Sequence, residues 1–314
     1  MAITWQRRPM VTVAVEPATR RTMHEAFVAA VRDAGATVGP LAEADALIWA
    51  DPQRAELFPE LIRTAKRVRW IQLPYAGVEP FVDYLDARFV WTCGKGVYAP
   101  PVAEHALALA LAGLRHIGAY ARADRWLEPA GRNLLGARVL ILGGGGIATS
   151  LVDLLDPFGC DITVFRRSDA PLRSSRVITQ REELDAALPA TAAVVIALAL
   201  TAQTSGIVDH RFLSRMATDA WLINVGRGGH VVTDDLVAAL SAGSIGGAAL
   251  DVTDPEPLPL GHALWSLPNC IITPHIANTP EMGLPLIAAR VRENTALFLA
   301  GKPLIGVVDV ELGY

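Results

Sequence analysis

The chain has 314 residues, of which 52% are hydrophobic and 19% charged, and its formal net charge is −4. This length predicts two domains, and the composition is that of a globular protein without a disordered tail. The mildly negative charge and the scattering of short basic clusters argue against a nucleic-acid partner or an anionic membrane surface. Cys93, Cys160 and Cys270 are far apart and odd in number, which indicates reduced thiols in a cytoplasmic protein with no metal motif.

The first hundred residues alternate short apolar runs with amphipathic stretches, a pattern typical of βαβ units around a parallel sheet. Strands are predicted at residues 11–15, 46–49, 70–73 and 89–91. A helix is predicted over residues 21–34, and a last long helix over 284–300 is expected to return to this domain. The first domain is therefore predicted as residues 1–98 with 282–314, and the inserted second domain as residues 99–281.

The second domain is predicted to begin with a helix over residues 102–114, apolar nearly all round and therefore buried between layers. Six strands follow at residues 139–142, 162–165, 194–198, 221–224, 247–250 and 271–273. Strands that alternate with helices in this way predict a doubly wound sheet. Residues 186–208 carry no charge, but Pro189 interrupts them and only 192–200 is strongly apolar. A buried central strand is therefore favoured over a membrane span.

A glycine-rich turn follows the strand at residues 139–142 and leads into a helix. Gly143 permits a tight turn, Gly145 lets the backbone approach a pyrophosphate, and the helix N-terminus offers free amides. Alanine at position 148 takes the place of the usual third glycine. We predict a dinucleotide contact rather than a purely structural turn, made by Gly143, Gly145, Gly146 and Ile147.

The tip of the next strand carries Arg166, Arg167 and Ser168 where an NAD-binding protein would present a carboxylate to the ribose. Arginine binds phosphate through paired, charge-assisted hydrogen bonds. This tip therefore predicts that NADP(H) is the preferred cofactor, with NAD(H) possible. The alternatives are a solvated basic loop, or a shifted loop in which Asp169 serves the ribose.

Three short segments late in the chain each place one polar residue after an apolar run: Arg227, Glu256 and His275. Strand ends of an open parallel sheet face the ligand crevice, so a cation, a carboxylate and an imidazole are expected to converge there. Arginine can hold a carboxylate and polarise a carbonyl group. Histidine can donate a proton near neutral pH, and an adjacent glutamate would stabilise its imidazolium form.

These motifs resemble those of the D-isomer-specific 2-hydroxyacid dehydrogenases, in particular enzymes of the glyoxylate/hydroxypyruvate reductase type. The spacing agrees, with 29 residues from Arg227 to Glu256 and 19 from Glu256 to His275. The resemblance implies a Rossmann-type doubly wound parallel sheet inserted into a second, smaller flavodoxin-like α/β domain. It also implies a homodimer that reduces a small 2-oxo acid to the D-2-hydroxy acid by hydride transfer from NAD(P)H. Arg227 would hold the substrate carboxylate, and His275 paired with Glu256 would move the proton.

The resemblance implies further contacts for both ligands. Additional cofactor contacts are expected from Leu198, Ala199, Leu200, Val225, Gly226, Asp251, His275 and Ala277. Among these, Asp251 would hold the nicotinamide carboxamide. Substrate contacts besides Arg227 are expected from Leu73, Ala76, Gly77 and Val78. His105 is assigned a structural role in the long helix.

Two other functions remain open from the sequence. Some proteins of this fold are dinucleotide-sensing corepressors or scaffolds with little turnover, and they can keep the same three polar residues. A hydrolase with tightly bound NAD would need a lysine and cysteine arrangement that the sequence lacks. The absence of a long appended tail favours the reductase.

Overall fold

The computed structural model describes residues 11–311; the remaining ends of the first predicted domain, residues 1–10 and 312–314, lie outside the described part. The chain divides into two compact units. One contains the residues up to Tyr98 and those from Thr279 onward, and the other contains Ala99–Asn278. The boundaries predicted from the sequence lie after residues 98 and 281.

The first unit is built on a five-stranded parallel sheet. Its elements before residue 99 are β1 (Thr12–Glu16), α1 (Arg21–Asp33), β2 (Thr37–Val38), β3 (Ala46–Trp49), α2 (Phe58–Ile62), β4 (Trp70–Gln72) and β5 (Val90–Thr92). The strand order is β2-β1-β3-β4-β5, which is the flavodoxin-like order. Four of these strands are predicted from the sequence. The exception is β2, because two residues are too few to show an alternating pattern.

The second unit holds a larger sheet. Its elements are α3 (Ala99–Leu114), α4 (Ile117–Arg122), β6 (Arg138–Leu142), α5 (Gly146–Leu155), β7 (Asp161–Phe165), β8 (Arg176–Ile178), α6 (Arg181–Ala187), β9 (Ala193–Ile196), α7 (His210–Leu213), β10 (Trp221–Asn224), α8 (Thr233–Ser241), β11 (Gly247–Leu250) and β12 (Cys270–Ile272). The strand order is β12-β11-β10-β9-β6-β7-β8, and every pairing is parallel. The sheet has seven strands rather than the six predicted, because β8 was missed.

Both faces of this sheet are buried, as a doubly wound fold requires. One face packs against α3 and α5, and the other against α7 and α8. The strand β9 is buried at all four positions between β6 and β10, so the central strand predicted within residues 192–200 is confirmed. None of the described helices is long and apolar enough to cross a membrane. The order reverses between β6 and β9, and ligands of such sheets bind at this switch point.

The chain returns to the first unit through α9 (Pro280–Leu299). The Thr279 side chain caps this helix by accepting a hydrogen bond from the amide of Met282. Ile287 and Val291 of α9 join the same apolar cluster as Phe27 of α1. The predicted fold class, a Rossmann-type sheet inserted into a smaller flavodoxin-like α/β domain, is thus confirmed.

Candidate active site

The glycine-rich turn after β6 has the shape of a phosphate cradle. Gly143 has a φ of +115°, and a Cβ atom there would overlap the carbonyl oxygen of Ala197 at the end of β9. At Gly145, by contrast, an added Cβ would meet nothing within 4 Å, so the turn is open on its outer side. The helix α5 begins at Gly146, and its first amides have no partner within the helix. Backbone amides and a helix N-terminus beside open space fit the pyrophosphate of a dinucleotide.

The basic strand tip lies directly against this turn. Arg166 follows β7, and a Cβ atom on Gly144 would lie 2.6 Å from its Cδ and 2.7 Å from its Nε. Arg167 and Ser168 are exposed next to it, and the Ser168 hydroxyl accepts a hydrogen bond of 3.2 Å from the amide of Ala170. The positive charge of Arg166 therefore sits beside the phosphate cradle, which fits an additional phosphate on the cofactor.

Two further loops predicted to meet the cofactor lie side by side. Ala199 and Leu200, after β9, are exposed, while Leu198 is partly buried. A Cβ atom on Gly226, after β10, would lie 3.3 Å from the carbonyl oxygen of Leu198. Val225 is buried in the core of the second unit, so it has only backbone atoms to offer a ligand.

Arg227 is held by a compact set of hydrogen bonds at the end of β10. Asn224 accepts from the amide of Gly226 at 3.0 Å and donates to the carbonyl oxygen of Arg227 at 2.9 Å. The Arg227 side chain donates through Nη1 to the Gly226 carbonyl at 2.9 Å. A Cβ atom on Gly228 would overlap the carbonyl group of Thr253, so the arginine loop packs closely on the loop after β11.

His230 is a member of this site that the sequence analysis missed. It lies in a single 3-10 turn, Gly228–His230, and is 0% exposed. Its Nδ1 atom is 3.1 Å from the amide nitrogen of Arg227. Burial lowers the pKa of His230, although the nearby carbonyl groups of Ala199 and Arg227 act in the opposite direction. In the sequence it is a lone histidine in a glycine-rich segment, and that pattern gives no functional signal.

The predicted acid–base pair is formed. His275 follows β12, and its Nδ1 atom lies 2.6 Å from Oε1 of Glu256. Their side chains are 50% and 42% exposed. His275 adopts a φ of +53°, and its amide donates to the carbonyl of Asp251 at 2.8 Å. The glutamate engages Nδ1, so Nε2 is the ring nitrogen that remains for a reactant.

Asp251, after β11, is the centre of a hydrogen-bond network with the loop after β12. Its Oδ1 accepts from the Thr273 hydroxyl at 2.6 Å and from the amide of Ile276 at 2.9 Å, and its Oδ2 accepts from the amide of Ala277 at 3.0 Å. His105 Nε2 lies 3.3 Å from Oδ1, and the carboxylate is 1% exposed. Burial acts to raise the pKa of this carboxyl, but the hydrogen bonds outweigh it and bring the pKa to about 2.

The Asp251 carboxylate therefore holds the loop of residues 273–277 that carries His275. Its expected contact with the nicotinamide carboxamide stays a prediction. The structural role assigned to His105 has a concrete form, since the imidazole also lies 3.0 Å from the Thr273 hydroxyl. Ala277 is buried, and its amide takes part in the same network.

The predicted substrate loop follows β4 in the first unit. The Leu73 side chain is fully buried and its amide donates to the Thr92 carbonyl at 2.7 Å, so neither is available for substrate. Val78 is buried as well. Ala76 is exposed and Gly77 partly exposed. Ala76 and Gly77 are thus the accessible members of the four, and the contacts of this loop with a substrate stay a prediction.

In the second unit, the functional groups share one edge of the sheet. Neighbouring parallel strands β10, β11 and β12 lead into Arg227, Asp251 and His275 at their carboxyl ends. The glycine turn follows β6 at the same edge. Among the residues that the structure describes, no cluster of three or more His, Cys, Asp or Glu could hold a metal ion. A dinucleotide cradle with an arginine and a His–Glu pair defines the class of nucleotide-linked oxidoreductases.

Comparison with known proteins gives the family. Residues 106–277 match the model of the NAD binding domain of D-isomer specific 2-hydroxyacid dehydrogenases. An uncharacterized protein of Corynebacterium melassecola is 36% identical over 264 residues, covering 82% of this chain and 87% of its own. A glyoxylate/hydroxypyruvate reductase A of Yersinia enterocolitica is 30% identical over 285 residues, covering 86% and 87%.

A similar solved structure supports the assignment. The D-isomer specific 2-hydroxyacid dehydrogenase of Xanthobacter autotrophicus Py2, in complex with NADPH and MES, has a TM-score of 0.83 and 26% identity, covering 97% of this chain and 100% of its own. The chain belongs to the D-isomer specific 2-hydroxyacid dehydrogenase family. It is an NAD(P)-dependent dehydrogenase, which can equally be described as a 2-oxo acid reductase.

Proposed function

We propose that this enzyme reduces a small 2-oxo acid such as glyoxylate or hydroxypyruvate to the D-2-hydroxy acid, with NADPH favoured over NADH. The observation that carries the proposal is the 2.6 Å contact between His275 and Glu256 at the sheet edge that also bears Arg227. The glyoxylate/hydroxypyruvate reductase from Yersinia supports the substrate class.

The chemistry follows from three side chains. NAD(P)H, when bound, supplies the hydride. Arg227 carries its N–H donors in a planar fork, a geometry that can hold a carboxylate and polarise a carbonyl oxygen, and its Nη1 donates to the Gly226 carbonyl. His275 donates the proton from Nε2 to the oxygen on which negative charge develops, while Glu256 fixes the ring and stabilises its charged form.

The substrate carboxylate would receive further hydrogen bonds from the loop after β4. We assign these to the backbone amides of Ala76 and Gly77, because both residues are accessible in their own unit. Glycine at position 77 leaves no side chain between the backbone and a ligand. The support for this assignment is the family resemblance of the loop.

The preference for NADPH rests on Arg166 beside the glycine turn. The Nε atom of Arg166 would lie 2.7 Å from a Cβ atom built on Gly144. This is where the cofactor is expected to turn from its pyrophosphate toward the adenosine. The guanidinium group would bind a 2′-phosphate by charge-assisted hydrogen bonds, with Arg167 and Ser168 next to it. The Xanthobacter relative holds NADPH, which agrees with this proposal.

The test is turnover of a panel of 2-oxo acids of increasing size with NADPH and with NADH. We expect glyoxylate or hydroxypyruvate to be reduced fastest, with NADPH, and the product to have the D configuration by chiral chromatography. A Glu256→Gln variant keeps the shape of the side chain but removes its charge, so it is the matched control for the proton transfer assigned to the His275–Glu256 pair. Oxidation of neither cofactor with any acid would contradict the proposal and favour a dinucleotide-sensing scaffold.

Two further expectations concern the state of the protein. The family resemblance implies a homodimer, and the three cysteines are all free thiols, as in a protein of the cytoplasm. We propose both. Analytical ultracentrifugation of the purified enzyme would show a dimer, and a monomer at micromolar concentration would contradict the first expectation.

A further inference from the structure

His105 has an imidazole that the proposed chemistry does not use. It lies in the helix α3, and its Nε2 atom is 3.3 Å from Oδ1 of Asp251 and 3.0 Å from the hydroxyl oxygen of Thr273. Asp251 follows β11 and Thr273 follows β12, at the sheet edge that carries the other functional groups. A side chain of the long helix therefore reaches the loop on which His275 is mounted.

The hydrogens at this junction can be placed from the acceptors. The Thr273 hydroxyl donates its one hydrogen to Oδ1 of Asp251 at 2.6 Å, so its oxygen is left to accept from His105. The Asp251 carboxyl has a pKa of about 2 because its hydrogen bonds outweigh its burial, so it is ionised at neutral pH and can only accept. Both atoms that face Nε2 are acceptors. Nε2 therefore carries a proton, whether the ring is neutral or charged.

The loop beyond this junction has a backbone conformation that needs support. His275 has a φ of +53°, in the left-handed region that residues other than glycine seldom adopt. Its amide donates to the carbonyl oxygens of Asp251 at 2.8 Å and of Thr273 at 2.9 Å. The next two amides, of Ile276 and Ala277, donate to the Asp251 carboxylate. The position of that carboxylate therefore sets the backbone that carries the catalytic imidazole.

His105 differs from the other donors to this carboxylate in where it comes from. The hydroxyl and the two amides belong to the loop of residues 273–277 and move with it. His105 belongs to α3, whose Ala103 and Ala106 are fully buried in the core of the second unit. The imidazole thus ties Asp251 to an element that packing holds in place.

We propose that His105 is a positioning residue for proton transfer, whose Nε2–H anchors the Asp251 carboxylate to α3 and thereby fixes the loop that carries His275. This inference rests on the proposed role of His275 in donating the proton. Loss of the anchor would disturb the proton donor and leave the arginine loop after β10 in place. The rate of the chemical step should therefore change, while binding of the substrate carboxylate should not.

Three substitutions at position 105 separate this role from packing. His105→Gln places an N–H donor the same number of bonds from the backbone as Nε2, His105→Asn places it one bond closer, and His105→Leu has none. We expect kcat for glyoxylate to fall about tenfold in the Leu and Asn variants, the size of effect of one lost hydrogen bond to a carboxylate, and to recover in the Gln variant. KM for glyoxylate should stay within about twofold of the wild type in all three.

His210 offers the matched control, since it is an exposed histidine of the same unit. His210→Leu and His210→Gln should change neither kcat nor KM. A Gln variant at position 105 that is as slow as the Leu variant would overturn the inference, because packing and not the N–H donor would then account for the loss. A Leu variant with the wild-type kcat would overturn it as well.

Two readouts do not depend on turnover. The ¹⁵N shifts of the wild-type His105 ring should show a proton on Nε2, and a neutral ring protonated at Nδ1 alone would overturn the inference even if no variant could be purified. In the Leu variant, the amides of Ile276 and Ala277 should exchange with solvent about tenfold faster than in the wild type, and in the Gln variant at nearly the wild-type rate. Unchanged protection in the Leu variant would contradict the anchoring role.

A double-mutant cycle tests whether His105 acts through Asp251. In an Asp251→Asn background, His105→Leu should lower kcat much less than in the wild type, because the carboxylate that it anchors is gone. Equal effects in both backgrounds would overturn the inference. Failure of the proposed function is seen separately: if the wild type oxidises NADPH with no 2-oxo acid, the role of His275 fails, while the ring protonation and the exchange of the two amides still decide whether His105 anchors the loop.

Discussion

The Asp251→Asn substitution should detach the loop that carries His275 while keeping the shape of the side chain. The carboxylate accepts hydrogen bonds from Thr273, Ile276 and Ala277, and all of these donors lie beside His275 in sequence. An asparagine has one oxygen to accept them, and its NH2 group would face at least one donor. We therefore expect both a less stable second unit and a poorly held catalytic histidine.

The magnitude follows from the pKa of the carboxyl. A pKa of about 2 in the folded protein, against an ordinary value of 3.8, corresponds to about 2.5 kcal/mol of stability. With the side chain 1% exposed, little of this is lost to solvent screening. For a unit of this size, that loss would lower Tm by about 5–10 °C at neutral pH.

The pH dependence has a definite sign. Because the folded pKa lies below the unfolded one, this stabilisation is complete above pH 3.8 and is lost as the pH falls from 3.8 toward 2. The neutral amide of the Asn variant has no such dependence. The difference in unfolding free energy between wild type and variant should therefore be constant from pH 7 to about 4.5 and shrink below that.

The assay combines urea unfolding across this pH range with hydrogen exchange at neutral pH. In the variant, the amides of Ile276 and Ala277 should exchange much faster, and kcat should fall while the affinity for NADPH stays close to that of the wild type. Asp124→Asn, at an exposed position of the same unit, is the control and should change neither. A variant as stable as the wild type, with the two amides still protected, would refute the reasoning about Asp251.

Three further substitutions test other contacts. Gly143→Ala should abolish dinucleotide binding and lower Tm, because φ is +115° and the methyl group would overlap the Ala197 carbonyl; unchanged NADPH binding by fluorescence would contradict this. Arg166→Asp should reduce the ratio of kcat/KM for NADPH to kcat/KM for NADH by about tenfold or more, because charge-assisted hydrogen bonds to the 2′-phosphate are lost. An unchanged ratio would show that the strand tip does not select the cofactor. Gly228→Ala should raise KM for the oxo acid at least about tenfold, as measured by initial rates, because its methyl group would displace the arginine loop from the Thr253 carbonyl; a wild-type KM would argue against the packing described.

Much of the fold follows from local patterns. The bounds of three strands, Ala46–Trp49, Trp221–Asn224 and Gly247–Leu250, agree residue for residue with the prediction, because each is a short apolar run. The two missed strands, β2 and β8, contain two and three residues at or near sheet edges. Over so few residues an alternating pattern cannot be distinguished from a loop.

In the site too, some features could be predicted from the local sequence, whereas others depend on contacts between distant parts of the chain. The glycine turn and the pairing of His275 with Glu256 were predictable, since strand ends of a parallel sheet meet at one edge. The hydrogen bonds of Asp251 to the loop after β12 were not, because a carboxylate after a strand looks the same in sequence whether or not it accepts amides from another loop. The contact of His230 with the Arg227 backbone was missed because it depends on where the ring lies in the fold, which no spacing reveals.

The central claim is that the His275–Glu256 pair transfers the proton while hydride is delivered to a bound 2-oxo acid. Single-turnover oxidation of NADPH by wild type and by His275→Ala, at saturating glyoxylate and with the NADPH dissociation constant measured in parallel, tests it most directly. The account predicts a rate on the order of 10²–10⁴ times lower in the variant, with cofactor affinity nearly unchanged. A variant that oxidises NADPH at the wild-type rate would contradict it.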